Sequence, residues 1–177
     1  MTPKHGTPYA GDSHVGLVRD DNEDAFLLAP PLFAVADGLG GHQAGEIASA
    51  LAIDTLLASA PRQADAKALG RAVRRANSAV IQAAETGRGR SGMGTTMTAA
   101  MVDGTRIALA HVGDSRAYLL HLGKLEQLTD DHSMVADLVR QGRLTAEEAR
   151  HHPNRSVITR ALGSDPDMLA DTFEVQA

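Results

Sequence analysis

Apolar and polar positions divide the chain into short blocks with different periods. Leu32-Phe33-Ala34-Val35-Ala36 is an unbroken apolar run between Pro31 and Asp37-Gly38-Leu39-Gly40-Gly41-His42. Five residues are too few for a typical helix, so the run predicts a strand buried on both faces, tipped by a carboxylate and a glycine-rich loop. Ala25–Ala29 predicts a shorter strand before it, and Tyr9–Val18 a first strand interrupted by Gly11 and Gly16. Helical spacing then predicts one helix over Gln43–Ser59, with Ile47, Leu51, Ala48, Thr55 and Leu56 as its apolar face. A second follows over Gln63–Thr86, with Leu69, Val73, Ala76 and Val80 inward.

The second half reads as strands followed by short helices. Thr95–Val102 and Thr105–Val112 predict a hairpin around Asp103-Gly104, and Arg116–Leu120 with Lys124–Leu128 another around Leu122-Gly123. Met93, Met97 and Met101 read as core filling. Ser133–Gln141 predicts a capped helix, and Thr145-Ala146-Glu147-Glu148 a capping box opening another. Ser156–Leu162 fits strand or helix equally. Phe173 and Val175 sit in the middle of a strand pattern at the chain end, which suggests an incomplete domain.

These hairpins bring carboxylates together. If Pro30-Pro31 is the tip of the first, Asp24 lies opposite Asp37 and Glu23 opposite Gly38, so three carboxylates meet at its open end. The hairpin around Leu122-Gly123 sets Asp114 near Asp130 and Asp131. Clustered carboxylates repel unless cations neutralise them. With oxygen donors only, such a site suits Mg²⁺ or Mn²⁺, and Arg19 stands near enough in sequence to hold a phosphate through its fork. That chemistry points to metal-assisted phosphoester hydrolysis, although calcium sites share the pattern.

Composition removes several other classes. At 177 residues, 43% apolar and 22% charged, one globular domain is expected. A net charge of −5, no Trp, two Tyr and three Phe argue against a nucleic-acid surface. With no cysteine there is no disulfide, thiolate metal site or cysteine nucleophile. Neither a signal peptide nor a membrane-spanning run is visible, so a cytoplasmic domain is expected, with residues 1–8 a loose arm and 9–177 the folded unit.

Four motifs carry a family resemblance. Val18-Arg19 with Asn22-Glu23-Asp24, Val35-Ala36-Asp37-Gly38-Leu39-Gly40-Gly41-His42, Gly94-Thr95-Thr96, and Val112-Gly113-Asp114-Ser115-Arg116 with Asp131-His132-Ser133 resemble the metal-dependent protein phosphatase 2C family, nearest its bacterial serine/threonine phosphatases. The resemblance implies an α+β fold, a four-layer α-β-β-α sandwich of two antiparallel sheets face to face, flanked by helix pairs. It also implies hydrolysis of phosphoserine and phosphothreonine with two core Mn²⁺ or Mg²⁺ ions and a possible third.

By motif, Arg19 would bind the substrate phosphate, Asp37 would bridge both metals, and the Gly38 carbonyl would hold one. Glu23 would bind through water, with Asp24 supporting that shell. Asp114, and Ser156 through its carbonyl, would serve the third ion. The implied partners are phosphorylated proteins and a cognate serine/threonine kinase. Where animal members carry a histidine, this chain has Leu39, with His42 further on beside the metal shell.

The family's two later acidic motifs are not reached before Ala177. The chain is therefore expected to be truncated, with weakened metal binding and C-terminal strands missing. It is expected to be a monomer able to self-associate through the exposed sheet edge. A non-catalytic phosphatase-fold module with a regulatory or binding role is the alternative.

Each candidate also has a plain reading. Asp37 could cap its own strand end, Arg19 could pair with Asp20 or Asp21 on the surface, and Asp114 could be a turn residue. His42, His132, His151 and His152 read as loop histidines, and Arg71, Arg74 and Arg75 as a solvated helix face.

Overall fold

The structure is a computed structural model and describes residues 8–41 and 43–177. Pro30-Pro31 forms the turn of the first hairpin, joining β1 (Asp24–Ala29) to β2 (Leu32–Leu39) in the predicted register, with Asp24 opposite Asp37. Alternation along β2 then decides which side chains are covered. Leu32, Ala34 and Ala36 are buried, whereas Val35 is 45% exposed. The strand is therefore buried on one face, not two. A short apolar run does not distinguish these cases, and here the second face carries Phe33, Val35 and Asp37.

Two helices cover the buried face. They are α1 (Gln43–Ser59) and α2 (Ala66–Glu85), the latter capped by Asp65, whose carboxylate accepts from the Ala68 amide at 2.8 Å. The inward positions of α2 are those its spacing predicts, while on α1 the deepest positions lie to one side of the expected face. Ala48, Ala52 and Leu56 are fully buried, and Ile47 and Leu51 sit at the margin. Small residues let α1 lie close to α2 and the sheet, and close approach outweighs side-chain size in choosing those positions. Ser49 fastens α1 to the sheet, donating to the Glu23 carbonyl at 2.7 Å.

The sheet continues with β3 (Gly94–Thr95), β4 (Met97–Asp103), β5 (Arg106–Val112) and, at the far edge, β8 (Asp171–Gln176). Its order is β1-β2-β4-β5-β8, with β3 extending the pairing of β2. All these pairings are antiparallel. Met97 pairs with Val112, two positions from the expected register, because Thr105 joins the turn with Gly104 at φ +62°. Met93, Met97 and Met101 fill the core beneath the helices.

A second, two-stranded antiparallel sheet consists of β6 (Tyr118–His121) and β7 (Lys124–Gln127), in the predicted register. After it come α3 (Met134–Arg140), capped by Ser133, and α4 (Ala146–His151), whose Thr145–Glu148 capping box is formed in both directions. The fold is thus α+β with two antiparallel sheets, as expected, and the α1–α2 pair packs on the larger one.

Two segments depart from the sequence reading. Tyr9–Val18 is not a strand. It crosses the open face of β1 and β2, with Gly11 over Phe26 and Leu28 and the Tyr9 ring edge-on to Phe33 at 5.6 Å. Residues 156–162 form neither helix nor strand, touching the rest through isolated bridges Ser133–Ile158 and Thr95–Leu162. No helix among the described residues is long and apolar enough to cross a membrane.

Candidate metal and phosphate site

Asp24 and Asp37 lie directly opposite each other on the open face of the sheet, at the mouth of the first hairpin. The sequence places them there because the turn leaves no residue unpaired between Leu32 and Asp37. Partial loss of water pushes the Asp37 carboxyl up to about 6, and the charges of Asp24 and Asp114 push the same way, as does a hydrogen bond with Asp24. Arg19 opposes them. Asp114 is also raised, mainly by burial and then by Asp131, while its own amide and Arg116 work against the rise. Three aspartates therefore share one field, which makes a proton or a cation welcome there.

Glu23 does not join them on that face. One residue earlier on the strand, it is buried beneath the start of α1, with its carboxylate against Gly45. The expected meeting of three carboxylates at one hairpin end is corrected to two, because alternation sends Glu23 and Asp24 to opposite faces. Gly38 sits on the Glu23 side and donates its amide to the Glu23 carbonyl at 3.1 Å. A Cβ at Gly38 would fall 2.6 Å from that carbonyl oxygen, so only glycine fits the close passage of β1, β2 and α1. Gly40 and Gly41, at φ +115° and +76°, then turn the chain into α1.

The donors are hard oxygens, and their mutual repulsion is what a divalent cation relieves, so the residue chemistry fits Mg²⁺ or Mn²⁺. Among the described residues, no three carboxylates or imidazoles converge closely enough to enclose an ion by themselves. Any ion here would draw other ligands, such as the Gly38 carbonyl and water.

Two cavities meet at Asp114-Ser115. One, of about 280 Å³, is bordered by Asp24, Asp37, Ser115 and His14. The other, of about 630 Å³, is bordered by Asp114, Asp131, Arg155 and Ser156 and lies beside α3 and α4. The structure so brings Asp114 and Ser156 to one cavity and Asp24 and Asp37 to its neighbour. Arg19 is exposed and makes no ion pair or side-chain hydrogen bond among the described residues, so the pairing with Asp20 or Asp21 is not formed. His42 lies outside the described residues.

Sequence reasoning missed the polar scaffold behind the site. His132 does lie in a loop, as expected, but it is buried and bonded. The Gly113 amide donates to its Nδ1 at 3.0 Å, which leaves the proton on Nε2 to reach Asp171 at 3.0 Å. His111 stacks near it, with ring centroids 4.8 Å apart. Burial would raise Asp171, but hydrogen bonds from His132 and Arg160 hold it below the ordinary carboxylate value. Arg116 grips Asp131 through two bonds of 2.8 and 2.6 Å, which keeps the guanidinium charged. His111 stood inside an apolar strand, and only its odd polarity there could have signalled a role.

The glycine-rich strand end of this antiparallel α+β domain presents facing aspartates beside an unpaired arginine, an arrangement whose charges suit a cation and a phosphate together. The family model for protein phosphatase 2C matches residues 10–154. The Mycobacterium tuberculosis serine/threonine protein phosphatase PstP is 47% identical over 157 residues, covering 87% of this chain and 30% of that protein. The crystal structure of the M. tuberculosis phosphatase PstP/Ppp superposes with a TM-score of 0.84 at 44% identity, over 92% of this chain and 70% of the other. A PstP catalytic domain in complex with two manganese ions gives 0.81 at 42% identity, over 92% and 69%. The chain belongs to the protein phosphatase 2C family. It spans about a third of the length of the curated mycobacterial relative it matches.

Proposed function

We propose that this chain is a metal-dependent serine/threonine phosphoprotein phosphatase domain, hydrolysing phosphoserine and phosphothreonine in proteins. The observation that carries the reading is the facing pair Asp24 and Asp37, with the Asp37 carboxyl pushed up to about 6 beside Asp114. Such a pair favours a divalent cation, and the solved PstP domain with two manganese ions supports Mn²⁺, with Mg²⁺ as the alternative.

In this reading Asp37, the Gly38 carbonyl and Glu23 would hold the core ions, Glu23 through water, and Asp114 with the Ser156 carbonyl would hold a third. Asp24 would support the water shell of the core ions. When bound, the ions supply an activated water and neutralise phosphate charge. The unpaired Arg19 binds the phosphate by its fork and orients phosphorus towards that water. In the net hydrolysis a water oxygen would bond to phosphorus as the ester P–O bond breaks, and the released serine or threonine oxygen would take up the proton that the water gives up. The products are the free hydroxyl and inorganic phosphate. A serine/threonine kinase would supply the substrates in the cytoplasm, and the folded unit, from residue 9 onward, would act as a monomer.

One observation favours a second reading. No three acidic or imidazole groups enclose an ion among the described residues, which suits a module that binds phosphoproteins without turnover. The deciding experiment measures phosphate release from a phosphothreonine peptide with Mn²⁺, for the chain and for Asp37→Asn. Turnover that needs Mn²⁺ and Asp37 supports the phosphatase. Mn²⁺-dependent peptide binding without release supports the module. Calcium binding with no phosphate recognition overturns both.

A further inference from the structure

The exposed side of α2 carries Lys67, Arg71, Arg74 and Arg75, and none makes an ion pair or side-chain hydrogen bond among the described residues. This row is unfavourable for the helix that bears it. Lys67 and Arg71, and again Arg71 and Arg75, are like charges four residues apart. Lys67 also lies in the first turn, where the helix dipole disfavours a cation and where α2 has no acid. The neighbouring acids bond backbone amides, not these cations. Glu174 accepts from the Ala66 amide at 3.4 Å, Asp65 caps the helix, and Asp165 accepts from the Asp167 amide at 2.9 Å.

Beside the row runs a groove of about 250 Å³, with Lys67, Arg71 and Arg74 on one wall, Leu169 and Thr172 on the other, and Gly70 at its floor. Gly70 lets the helix approach Thr172 closely enough that a Cβ would collide with it. Leu169 is 68% exposed beside these cations. The groove belongs to the helix layer, on the opposite side of the sheet from Asp37.

We propose that this basic groove on α2 is a docking surface for an acidic peptide segment of a partner protein, with one aliphatic side chain seated by Leu169. The charge complementarity is local, since the chain as a whole carries −5 and repels extended polyanions at longer range. A groove a few side chains wide with an apolar wall suits a peptide over a phosphate backbone or a lipid surface.

The test is fluorescence anisotropy of a labelled acidic peptide, EDELEDE, titrated with the full chain. The wild type binds, and added salt weakens binding. The Lys67→Glu, Arg71→Glu, Arg74→Glu triple variant binds about tenfold more weakly or worse, and Leu169→Ser weakens binding while keeping its salt dependence. Hydrolysis of p-nitrophenyl phosphate, where present, is unchanged in all of them. Arg71→Glu alone guards against misfolding. It places an acid four residues from both Lys67 and Arg75, so it melts no lower than wild type while losing peptide affinity. No binding by the wild type, or equal binding by the triple variant, overturns the proposal. So does equal or tighter binding of phosphatidylglycerol vesicles or single-stranded RNA with the same loss on charge reversal.

Discussion

Thr96 holds Asp37 on both sides of its backbone: the Asp37 amide donates to Thr96 Oγ1 at 2.9 Å, and the Asp37 carbonyl accepts from the Thr96 amide at 2.9 Å. Thr95 Oγ1 donates to the same carbonyl at 3.0 Å, and the Thr96 hydroxyl meets Ser115 Oγ at 2.8 Å. The Gly94-Thr95-Thr96 motif therefore clamps the strand end that presents the acidic pair and ties it to the Asp114 loop.

Thr96→Val tests the clamp with little change of shape. It leaves the part-buried Asp37 amide without its acceptor, at a cost of about 1–3 kcal/mol. Urea denaturation should show that loss, and calorimetry with Mn²⁺ should show weaker binding as Asp37 loosens. Unchanged values in both would mean that the hydroxyl positions nothing.

Gly45→Ala should be destabilising, against the usual direction for an exposed helix position, where alanine gains about 1 kcal/mol over glycine. The new Cβ would collide with the Glu23 carboxylate and lie 2.8 Å from the Gly38 carbonyl carbon. Thermal melting should fall and Mn²⁺ affinity with it. Adding Glu23→Ala should recover part of the melting temperature but none of the affinity, a coupling that a double-mutant cycle reads directly.

The Asp37 carboxyl makes the metal-free protein pH-sensitive in an unusual direction. Its folded value of about 6 lies above the ordinary 3.8, so the folded state binds that proton more tightly. Its contribution to stability grows as pH falls from about 6 towards 3.8, and the penalty is full above 6. Asp37→Asn removes the penalty. In EDTA near pH 7.5 the variant should be more stable than wild type by about 1 kcal/mol, a figure reduced for the exposure of the group. The two should converge near pH 4. A constant difference across pH would mean that neither burial nor the neighbouring carboxylates raise the Asp37 carboxyl on folding.

Much of this was readable before the structure. Prolines and glycines mark turns by their own chemistry, so the first and third hairpins have their predicted registers, with Asp24 opposite Asp37 and Tyr118 opposite Gln127. The helix spans needed only capping and spacing, as the Thr145–Glu148 box shows. What was not readable depends on tertiary partners. Whether Val35 meets a neighbour, which residues of the α1 apolar face go deepest and how Tyr9–Val18 drapes over Phe26 and Phe33 are decided by surfaces elsewhere in the chain. At the site, the pairing of Asp24 with Asp37 followed from counting along the hairpin, but the diversion of Glu23 to the helix side needed the strand's alternation extended past its end. His111 and His132 stand 21 positions apart in chain order, and no local pattern joins them.

Those two histidines set the last expectation. His111 is fully buried, its Nε2–H directed at the Asp130 carbonyl at 3.1 Å and its Nδ1 facing Thr98 Oγ1 at 2.9 Å. Burial lowers its pKa, and the neighbouring His132 lowers it further, while the Asp130 carbonyl, Asp171 and Asp131 act the other way. The folded state thus prefers the neutral ring, and below the ordinary value of 6.5 the unfolded chain takes up the proton first. This contribution is fully present above about pH 6.5 and is lost as pH falls from there towards the lowered folded value, opposite to the trend from Asp37. His111→Gln keeps an amide donor for the Asp130 carbonyl and cannot titrate. Denaturation of wild type and variant in parallel should give a stability difference that is constant above pH 7 and shrinks in favour of the variant as pH falls towards 5. Parallel curves over that range would show that His111 titrates alike in both states, and that its burial carries no electrostatic cost.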